Sequence, residues 1–365
     1  MSEIVILGAG IIGSAIAREL LRRRIPVTLL EKAVPGAESS SAAAGMLAPQ
    51  LEAHSPSDPA TALGLYSRSL YRAFTTELEA ESGVHVAHHV DGGLALATGE
   101  AELEQKAQAF AWQHEQGLRW ERLSADQLHE RVPGLRPDLP GGLYFPDEGQ
   151  IEPRALMRAL SVANQRAGVR IKSGQAVKEV VIESGKVVGL ELEGSGRLSA
   201  DRVIVAAGAW SGQVPGVKAP SIEPVRGQML AISGDPGVLP FLHTPSGYVV
   251  PRRDGRVLVG STAERVGYDK QVTTTGLKKL LDTALSWMPI LADRPVLETW
   301  AGLRPGTPDG APLLGATEVE GLYLASGHFR NGILQAPATA VLLADLVTGR
   351  TPSLDLRPYR PNRFH

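Results

Sequence analysis

The feature that most constrains the fold of this chain is a glycine-rich turn close to its start. Four apolar residues, Ile4–Leu7, lead into the turn Gly8-Ala9-Gly10-Ile11-Ile12-Gly13, and apolar residues at helical spacing follow it. Pro26 ends that helix, and a second apolar run at 27–30 leads to Glu31. A strand, glycines at this spacing, a helix and a second strand are typical of a dinucleotide-binding β–α–β unit. The sequence therefore predicts an α/β domain built on a parallel sheet.

Each glycine of this turn has a separate role in binding a dinucleotide. Gly8 makes the turn, Gly10 lets the pyrophosphate approach the backbone, and Gly13 packs the helix on the strand. The helix that begins at Ile11 and Ile12 points its free N–H groups and positive dipole end at the phosphates. Glu31, 18 residues after Gly13, would accept hydrogen bonds from ribose hydroxyls and repel a 2′-phosphate, which disfavours NADP. These residues alone do not decide between NAD and FAD.

Composition narrows the possible functions. With 37 Lys and Arg against 39 Asp and Glu, the net charge of −2 gives no field that would hold nucleic acid. The absence of Cys excludes disulfides, Cys-ligated zinc, iron–sulfur clusters and a flavin attached through cysteine. No signal peptide and no run of about 18 apolar residues is seen. We therefore expect a cytoplasmic protein with no nucleic-acid partner, no membrane partner and no metal site.

The rest of the chain predicts a second domain inserted into the first. Helices are expected at 65–81, at 151–167 with Pro153 in the first turn, and from Ala336 with Pro337 in the first turn. Short strands between 169 and 207 suggest a second β–α–β half, whereas alternation between 222 and 260 suggests an antiparallel sheet. We predict one domain at 1–83, 145–218 and 301–365, and a second at 84–144 and 219–300.

Two later segments favour FAD over NAD. A strand ends in the small-residue turn Ala206-Ala207-Gly208, and a second glycine-rich junction between a strand and a helix lies at 327–334. A simple NAD-dependent dehydrogenase does not need a loop so late in the chain. An isoalloxazine ring does, because its pyrimidine end needs backbone donors or a helix N-terminus near N1 and O2.

Seven motifs spread along the whole chain support a more specific interpretation. They are GAGIIG at 8–13, LLEK at 29–32, SSAAAGMLAPQ at 40–50, AAGAWS at 206–211, RGQML at 226–230, GLRPGTPDGAPLLG at 302–315 and SGHFRNGILQAP at 326–337. With these motifs the chain resembles the D-amino-acid oxidase family of FAD-dependent amine oxidases, most of all the bacterial members that oxidise glycine in thiamine biosynthesis. The resemblance implies a Rossmann-like, glutathione-reductase-like FAD-binding domain and a discontinuous α+β substrate domain.

The resemblance also implies which residues hold FAD. The cofactor would be bound without a covalent link, and the family's motifs map onto a set of mostly small residues. These are Gly8, Gly10, Ile11, Ile12, Gly13, Glu31, Lys32, Ser40, Ala43, Ala44, Gly45, Met46, Val177, Ala207, Gly208, Trp210, His328, Arg330, Asn331, Gly332, Ile333 and Leu334.

Arg304 is the candidate for holding the substrate carboxylate. A guanidinium binds a carboxylate in a bidentate manner, and Arg304 stands at an apolar strand end where a charge is otherwise out of place; the alternative is a surface arginine packed on Trp300. By resemblance, Tyr248 would bind the same carboxylate, although it could be an ordinary cross-strand aromatic. Arg330 and Met46 would complete the catalytic group. His328 is expected to have a structural role.

The implied reaction is oxidative deamination of glycine, sarcosine or small D-amino acids. Hydride would leave Cα for flavin N5, giving an imine or 2-oxo acid, and oxygen would reoxidise the flavin with release of H2O2.

Two positions depart from the family pattern: Ser246 stands where a His is common, and Ala263 where a Met is common. Both changes suggest a roomier pocket. The alternatives are a dehydrogenase that passes electrons to a quinone and a non-oxidase flavin subunit of a larger complex. The resemblance further suggests a homo-oligomer, a tetramer.

Overall fold

The computed structural model describes residues 4–194, 196–218, 222–234 and 240–364. Residue 219, where the second part of the substrate domain is predicted to begin, lies outside the described residues, as do residues 1–3 and 365 at the two ends. In the described residues the helices are α1 (Ile11–Arg22), α2 (Ser39–Ala42), α3 (Pro59–Ser82), α4 (Glu100–Phe110), α5 (Trp112–Glu115), α6 (Ala125–Arg131), α7 (Pro153–Ala167), α8 (Thr274–Trp287) and α9 (Gly332–Val347).

The described residues also form nineteen strands, several of which follow one another without an α-helix between them. They are β1 (Ile4–Leu7), β2 (Val27–Glu31), β3 (Met46–Leu47), β4 (Gly93–Leu96), β5 (Glu121–Ser124), β6 (Gly141–Phe145), β7 (Gly149–Gln150), β8 (Arg170–Ser173), β9 (Val177–Glu183), β10 (Lys186–Leu192), β11 (Gly196–Ser199), β12 (Arg202–Val205), β13 (Glu223–Ser233), β14 (Phe241–Thr244), β15 (Gly247–Pro251), β16 (Arg256–Gly260), β17 (Val296–Gly306), β18 (Leu313–Ala316) and β19 (Leu322–Ser326).

A six-stranded, mostly parallel sheet carries the glycine-rich turn. Its strand order is β18-β19-β12-β1-β2-β8, with β18 the antiparallel member. All four residues of β1 are buried, because helices cover such a sheet on its faces and both sides of a central strand must then be apolar. The side chains of α1, α3, α7 and α9 share one hydrophobic core with this sheet. The predicted Rossmann-like fold is confirmed.

A second, eight-stranded sheet contains most of the remaining strands. Its order is β17-β13-β16-β15-β14-β4-β6-β5, and all of its pairs are antiparallel except that of β14 with β4. Tyr248 lies on β15 and Arg304 on β17. The predicted antiparallel sheet is confirmed, whereas the exact division of the chain into two domains stays a prediction.

The second β–α–β half predicted between 169 and 207 is wrong. Strands β9, β10 and β11 form a separate antiparallel sheet, while β8 and β12 join the parallel sheet at different places. The chain reverses between β9 and β10 at Ser184 and Gly185, whose φ angles are 50° and 79°. Two consecutive residues with positive φ make the tight turn of a hairpin, and a hairpin leaves no room for a crossover helix.

The last helix also begins earlier than predicted. Helix α9 starts at Gly332, so Pro337 stands inside it rather than in its first turn. A proline inside a helix removes the N–H that would bond the carbonyl four residues before it. Here the hydroxyl of Tyr71 on α3 donates to that carbonyl, of Ile333, at 2.9 Å. Ser67 donates to the next carbonyl, of Leu334, at 2.6 Å and accepts from the N–H of Ala338 at 3.2 Å.

Within the ranges that the structure describes, we find no helix with both the length and the apolar character needed to cross a bilayer.

Candidate active site

One cavity of about 580 Å³ is lined by residues of both large sheets. It begins at the glycine-rich turn after β1 and extends to the face of the antiparallel sheet that carries Tyr248 and Arg304. All of the site residues predicted from the sequence line this cavity except Gly13 and Leu334. Gly13 lies behind the turn, where an added Cβ would be 1.9 Å from the carbonyl oxygen of Gly8. Leu334 is buried in the core, with a side-chain methyl against the position of Gly64.

The glycine-rich turn brings the N-terminus of α1 to the cavity. Gly8 has a φ of +102°, and a Cβ there would lie 2.5 Å from the carbonyl oxygen of Ala206, so only glycine fits. Gly10 caps α1 without a side-chain hydrogen bond, and the hydroxyl of Ser40 accepts the N–H of Ile11 at 2.9 Å. This helix end offers backbone donors and a positive dipole to an anionic group in the cavity.

Glu31 lies at the end of β2, on the wall of the cavity. One carboxylate oxygen accepts the N–H of Ala9 at 3.0 Å and the other accepts the N–H of Ala33 at 2.9 Å. Glu31 therefore ties the turn after β1 to the turn after β2, and its remaining lone pairs can accept hydroxyl groups. Close by, the ammonium of Lys32 lies 4.0 Å from the centre of the Trp210 ring.

A second helix N-terminus borders the cavity, that of α9. Its capping residue, Asn331, makes no side-chain capping hydrogen bond. Just before it, His328 is buried and its Nε2 lies 3.0 Å from the hydroxyl of Thr339. Burial lowers the pKa of His328 to about 3, so its ring is neutral near pH 7. The loop between β19 and α9 thus presents backbone donors without adding an imidazolium charge.

Arg304 and Tyr248 lie over two glycines of the antiparallel sheet. The guanidinium of Arg304 donates to the carbonyl of Thr262 at 3.1 Å and to the hydroxyl of Ser261. An added Cβ at Gly227 would come within 2.1 Å of that guanidinium, and one at Gly260 within 2.3 Å of the Tyr248 ring. A guanidinium has five N–H donors, so this anchoring leaves Arg304 able to bind a carboxylate.

The other two predicted catalytic residues lie on different walls. Met46 is half-buried on β3, which pairs with β7. Arg330 is exposed at the loop before α9, with its guanidinium 5.1 Å from the Phe329 ring. The structure thus brings all four candidates to one cavity from four separate parts of the chain.

Three titratable residues of this cavity, Glu38, Glu52 and His243, were not predicted as site residues from the sequence. Burial raises the pKa of Glu52, while the positive charges of Arg330 and Arg304 oppose the rise. Burial, with smaller contributions from Lys106 and Arg330, lowers the pKa of His243 to about 4. A glutamate between Leu51 and Ala53 was a visible signal, since a lone charge in an apolar segment needs a partner. His243 offered no such signal.

The two departures from the family pattern have different outcomes. Ser246 lines the cavity, and its hydroxyl lies 3.0 Å from the indole nitrogen of Trp287. Ala263 is exposed and is not part of the cavity wall. A smaller side chain at 263 therefore does not enlarge the cavity, and the expectation of a roomier pocket depends on Ser246 alone.

Comparison with known proteins gives consistent similarities. A model of the DAO family, described as FAD dependent oxidoreductase, matches residues 3–346. The chain is 35% identical over 368 residues to a glycine oxidase of Pseudomonas aeruginosa, covering 99% of both chains. It is 37% identical over 371 residues to the bifunctional protein ThiO/ThiG of a Synechocystis species. All of the chain is covered there, but it spans only about half, 54%, of that longer relative.

Solved structures resemble the whole fold. A glycine oxidase from Geobacillus kaustophilus matches with a TM-score of 0.94 and 33% identity, covering 100% of this chain and 99% of the other. An iminodiacetate oxidase from Chelativorans sp. BNC1 matches with a TM-score of 0.90 and 27% identity, covering 98% of each chain.

Proposed function

The chain belongs to the DAO family of FAD-dependent oxidoreductases, and we propose that it oxidises glycine and other small amino acids, with oxygen as electron acceptor. The observation that carries this proposal is the placement of Arg304. Its guanidinium is anchored on Thr262 and Ser261 at the cavity wall, beside Tyr248. Relatives named glycine oxidase along the full length of the chain support the choice of substrate class.

The cavity fits the FAD that this family uses. Two helix N-termini whose own capping residues make no side-chain capping hydrogen bond, those of α1 and α9, border it at different positions. Anionic groups bind well at such ends, and FAD has two: the pyrophosphate and the electron-rich pyrimidine edge. Gly8 and Gly10 would cradle the pyrophosphate, Glu31 the ribose, and residues 328–333 the flavin ring. Bound FAD would supply the hydride acceptor, and its reoxidation by oxygen would release H2O2.

The side chains at the other end would bind and orient the substrate. Arg304 would hold the carboxylate in a bidentate pair, with Tyr248 as a further hydrogen-bond partner. Arg330, at the exposed mouth, would attract the anionic group, and Met46 would supply an apolar wall. His243 is neutral near pH 7, so it places no positive charge beside the amine. A substrate that reacts with a neutral amine then needs no protein base, and the chain's contribution is position and electrostatics.

A peroxide assay across four substrates tests the proposed activity. Purified protein is given glycine, sarcosine, D-alanine and D-proline in air, and H2O2 is measured. We expect H2O2 from glycine and from at least one other compound, because Ser246 leaves space in the cavity wall. Oxidation of glycine alone would contradict the wider substrate range. Reduction of an artificial dye with no oxygen consumption would instead support a quinone-linked dehydrogenase.

Replacing Arg304 tests the substrate site itself. Arg304→Ala should raise the KM for glycine by about a hundredfold, because a charged hydrogen-bonded partner of the carboxylate is lost. The matched control is Arg294→Ala, which removes an exposed guanidinium and should leave KM unchanged. Steady-state kinetics of both variants gives the KM values to be compared. An unchanged KM in Arg304→Ala would remove Arg304 from the substrate site.

We also propose a homo-oligomer in the cytoplasm, acting in thiamine biosynthesis. Exposed apolar side chains support the oligomer: Ile290 is 51% exposed, and Val296 and Leu297 at the start of edge strand β17 are 50% and 51% exposed. Large apolar side chains that are exposed within a short segment are candidates for an interaction surface. The molar mass in solution, measured by light scattering, tests this, and a monomer would contradict it.

A further inference from the structure

A fully buried carboxyl group lies close to the cavity without being part of its wall. Glu148 stands in the turn between β6 and β7, and its side chain is 0% exposed. Its Oε1 accepts the backbone N–H of Gln50 at 2.8 Å. The other oxygen, Oε2, is buried without a hydrogen-bond partner among the described residues. Burying a carboxyl group in this way is costly, so a role beyond packing is to be expected.

The carboxyl group belongs to a network that fastens one turn of the chain, residues 49–53. The guanidinium of Arg68 on α3 lies 3.5 Å from Glu148 and donates to the side-chain oxygen of Gln50 at 2.5 Å. On the other side, Gln113 on α5 accepts from the Gln50 amide at 3.1 Å and donates to the Gln50 carbonyl at 2.8 Å. Gln50 is therefore hydrogen-bonded to Glu148, to a residue of helix α3 and to a residue of helix α5.

The next charged residue along this turn faces the cavity. Glu52 lines the cavity wall and lies within electrostatic reach of Arg330 and Arg304. Its backbone N–H bonds the carbonyl of Ala48 at 3.1 Å, which keeps the turn compact. Because Gln50 and Glu52 share one turn, a shift of Gln50 would also move the Glu52 carboxylate relative to the two arginines.

We propose that Glu148 is a positioning residue, which holds the turn of residues 49–53 and thereby keeps Glu52 opposite Arg304 and Arg330. The inference rests on the proposed function in one respect, that these arginines bind the substrate. The attraction between Glu52 and the two guanidinium groups then keeps both arginines in place, so the affinity for substrate depends on Glu148, a group that never touches it.

The charge state of Glu148 adds a pH dependence to this arrangement. Burial raises its pKa to about 8, Arg68 opposes the rise and Glu52 adds to it. The charged groups that face it are therefore Arg68 from α3 and Glu52 from the turn, whereas Gln113 from α5 is neutral. Below this pKa Glu148 is a neutral acid. Above it, a buried negative charge repels Glu52, so the turn should loosen and substrate affinity should fall.

The variants Glu148→Gln and Glu148→Ala test the proposal in the holoenzyme. The amide keeps an oxygen that can accept from Gln50 but cannot ionise, whereas alanine removes the acceptor. At pH 7 we expect Glu148→Ala to raise the KM for glycine about tenfold, with kcat little changed. Glu148→Gln should match the wild type at pH 7 and lack the rise in KM that the wild type shows above pH 8. Glu318→Gln, at an exposed position, is the control.

A binding measurement without turnover separates the inference from the proposed function. Glycolate, which has the carboxylate of glycine but no amine, is titrated against the flavin absorption spectrum. Its Kd should rise in Glu148→Ala in parallel with KM, and thermal melting identifies a variant that is merely unstable. An unchanged Kd in Glu148→Ala, or an alkaline rise of KM in Glu148→Gln equal to that of the wild type, would overturn the proposal. Failure of the wild type to oxidise glycine would overturn the proposed function but leave the glycolate test intact.

Discussion

At the residue scale, the substrate end of the cavity depends on two glycines, because a residue with a side chain would not fit at either position. Gly227 and Gly260 lie under Arg304 and Tyr248, where a Cβ would come within 2.1 Å and 2.3 Å of the overlying groups. Neither glycine has a left-handed backbone, since a positive φ is found for neither. Their requirement is for space alone, which makes them clean positions for a test.

Gly227→Ala is predicted to displace the Arg304 guanidinium. The new methyl would overlap it, so the side chain must leave its contacts with Thr262 and Ser261, and the KM for glycine should rise by about tenfold or more. Binding of FAD should persist, because Gly227 lies in the antiparallel sheet and the glycine-rich turn follows a strand of the other sheet. Gly99→Ala, at a site with nothing within 4 Å of the added Cβ, is the control. Equal KM values for the two variants would show that Arg304 does not need this space.

At the element scale, helix α9 depends on hydroxyl groups from helix α3. Pro337 leaves the carbonyl of Ile333 without its usual donor, and Tyr71 supplies the replacement at 2.9 Å. Tyr71 is 1% exposed, so this bond is made out of reach of water. The N-terminus of α9, which borders the cavity, is therefore held in place by a bond between two elements.

Tyr71→Phe is predicted to lower the melting temperature. It leaves a buried carbonyl without a donor, which costs about 1–3 kcal/mol. Pro337→Ala restores a backbone N–H that can reach this carbonyl, so the double variant should regain part of the loss. Melting temperatures of the two single variants and the double variant form the measurement. Strict additivity would show that the two residues do not serve the same carbonyl.

The elements also show what could be read from the sequence. The unit from β1 to β2 was predictable because its signals, a short apolar run and spaced glycines, lie within thirty residues. The hairpin of β9 and β10 was misread because short apolar strands look alike in parallel and antiparallel sheets. Glu148 could not be assigned, since it bonds Gln50 across 98 positions, and no local pattern encodes such a contact.

At the scale of the whole molecule, a buried histidine makes the stability of the fold depend on pH. His328 has a pKa of about 3 in the folded protein against 6.5 as its ordinary value. Between these values the unfolded chain binds a proton that the folded chain does not. The free energy of unfolding therefore decreases as the pH falls below 6.5, by up to about 1.4 kcal/mol per pH unit for this one group.

His328→Gln is predicted to weaken this acid sensitivity. The amide can still bond Thr339 but does not titrate, so the fall in melting temperature from pH 7 to pH 5 should be smaller than in the wild type. His85→Gln, which changes a ring that is 73% exposed, should behave like the wild type. Melting curves at the two pH values provide the comparison. Identical acid shifts in all three proteins would mean that His328 titrates normally in the fold.

The strand order of the parallel sheet has a consequence for how the protein is made. Strand β1 pairs with β12, and β12 pairs with β19 at residues 322–326. A ribosome delivers β1 first and the loop before α9 among the last parts of the described chain. The sheet therefore stays open until residues 322–326 have been synthesised, with the apolar edges of β1 and β2 exposed to chaperones and to other nascent chains. Loading of FAD would therefore follow synthesis of residues 328–333, because these residues supply the last wall of the cavity along the described chain.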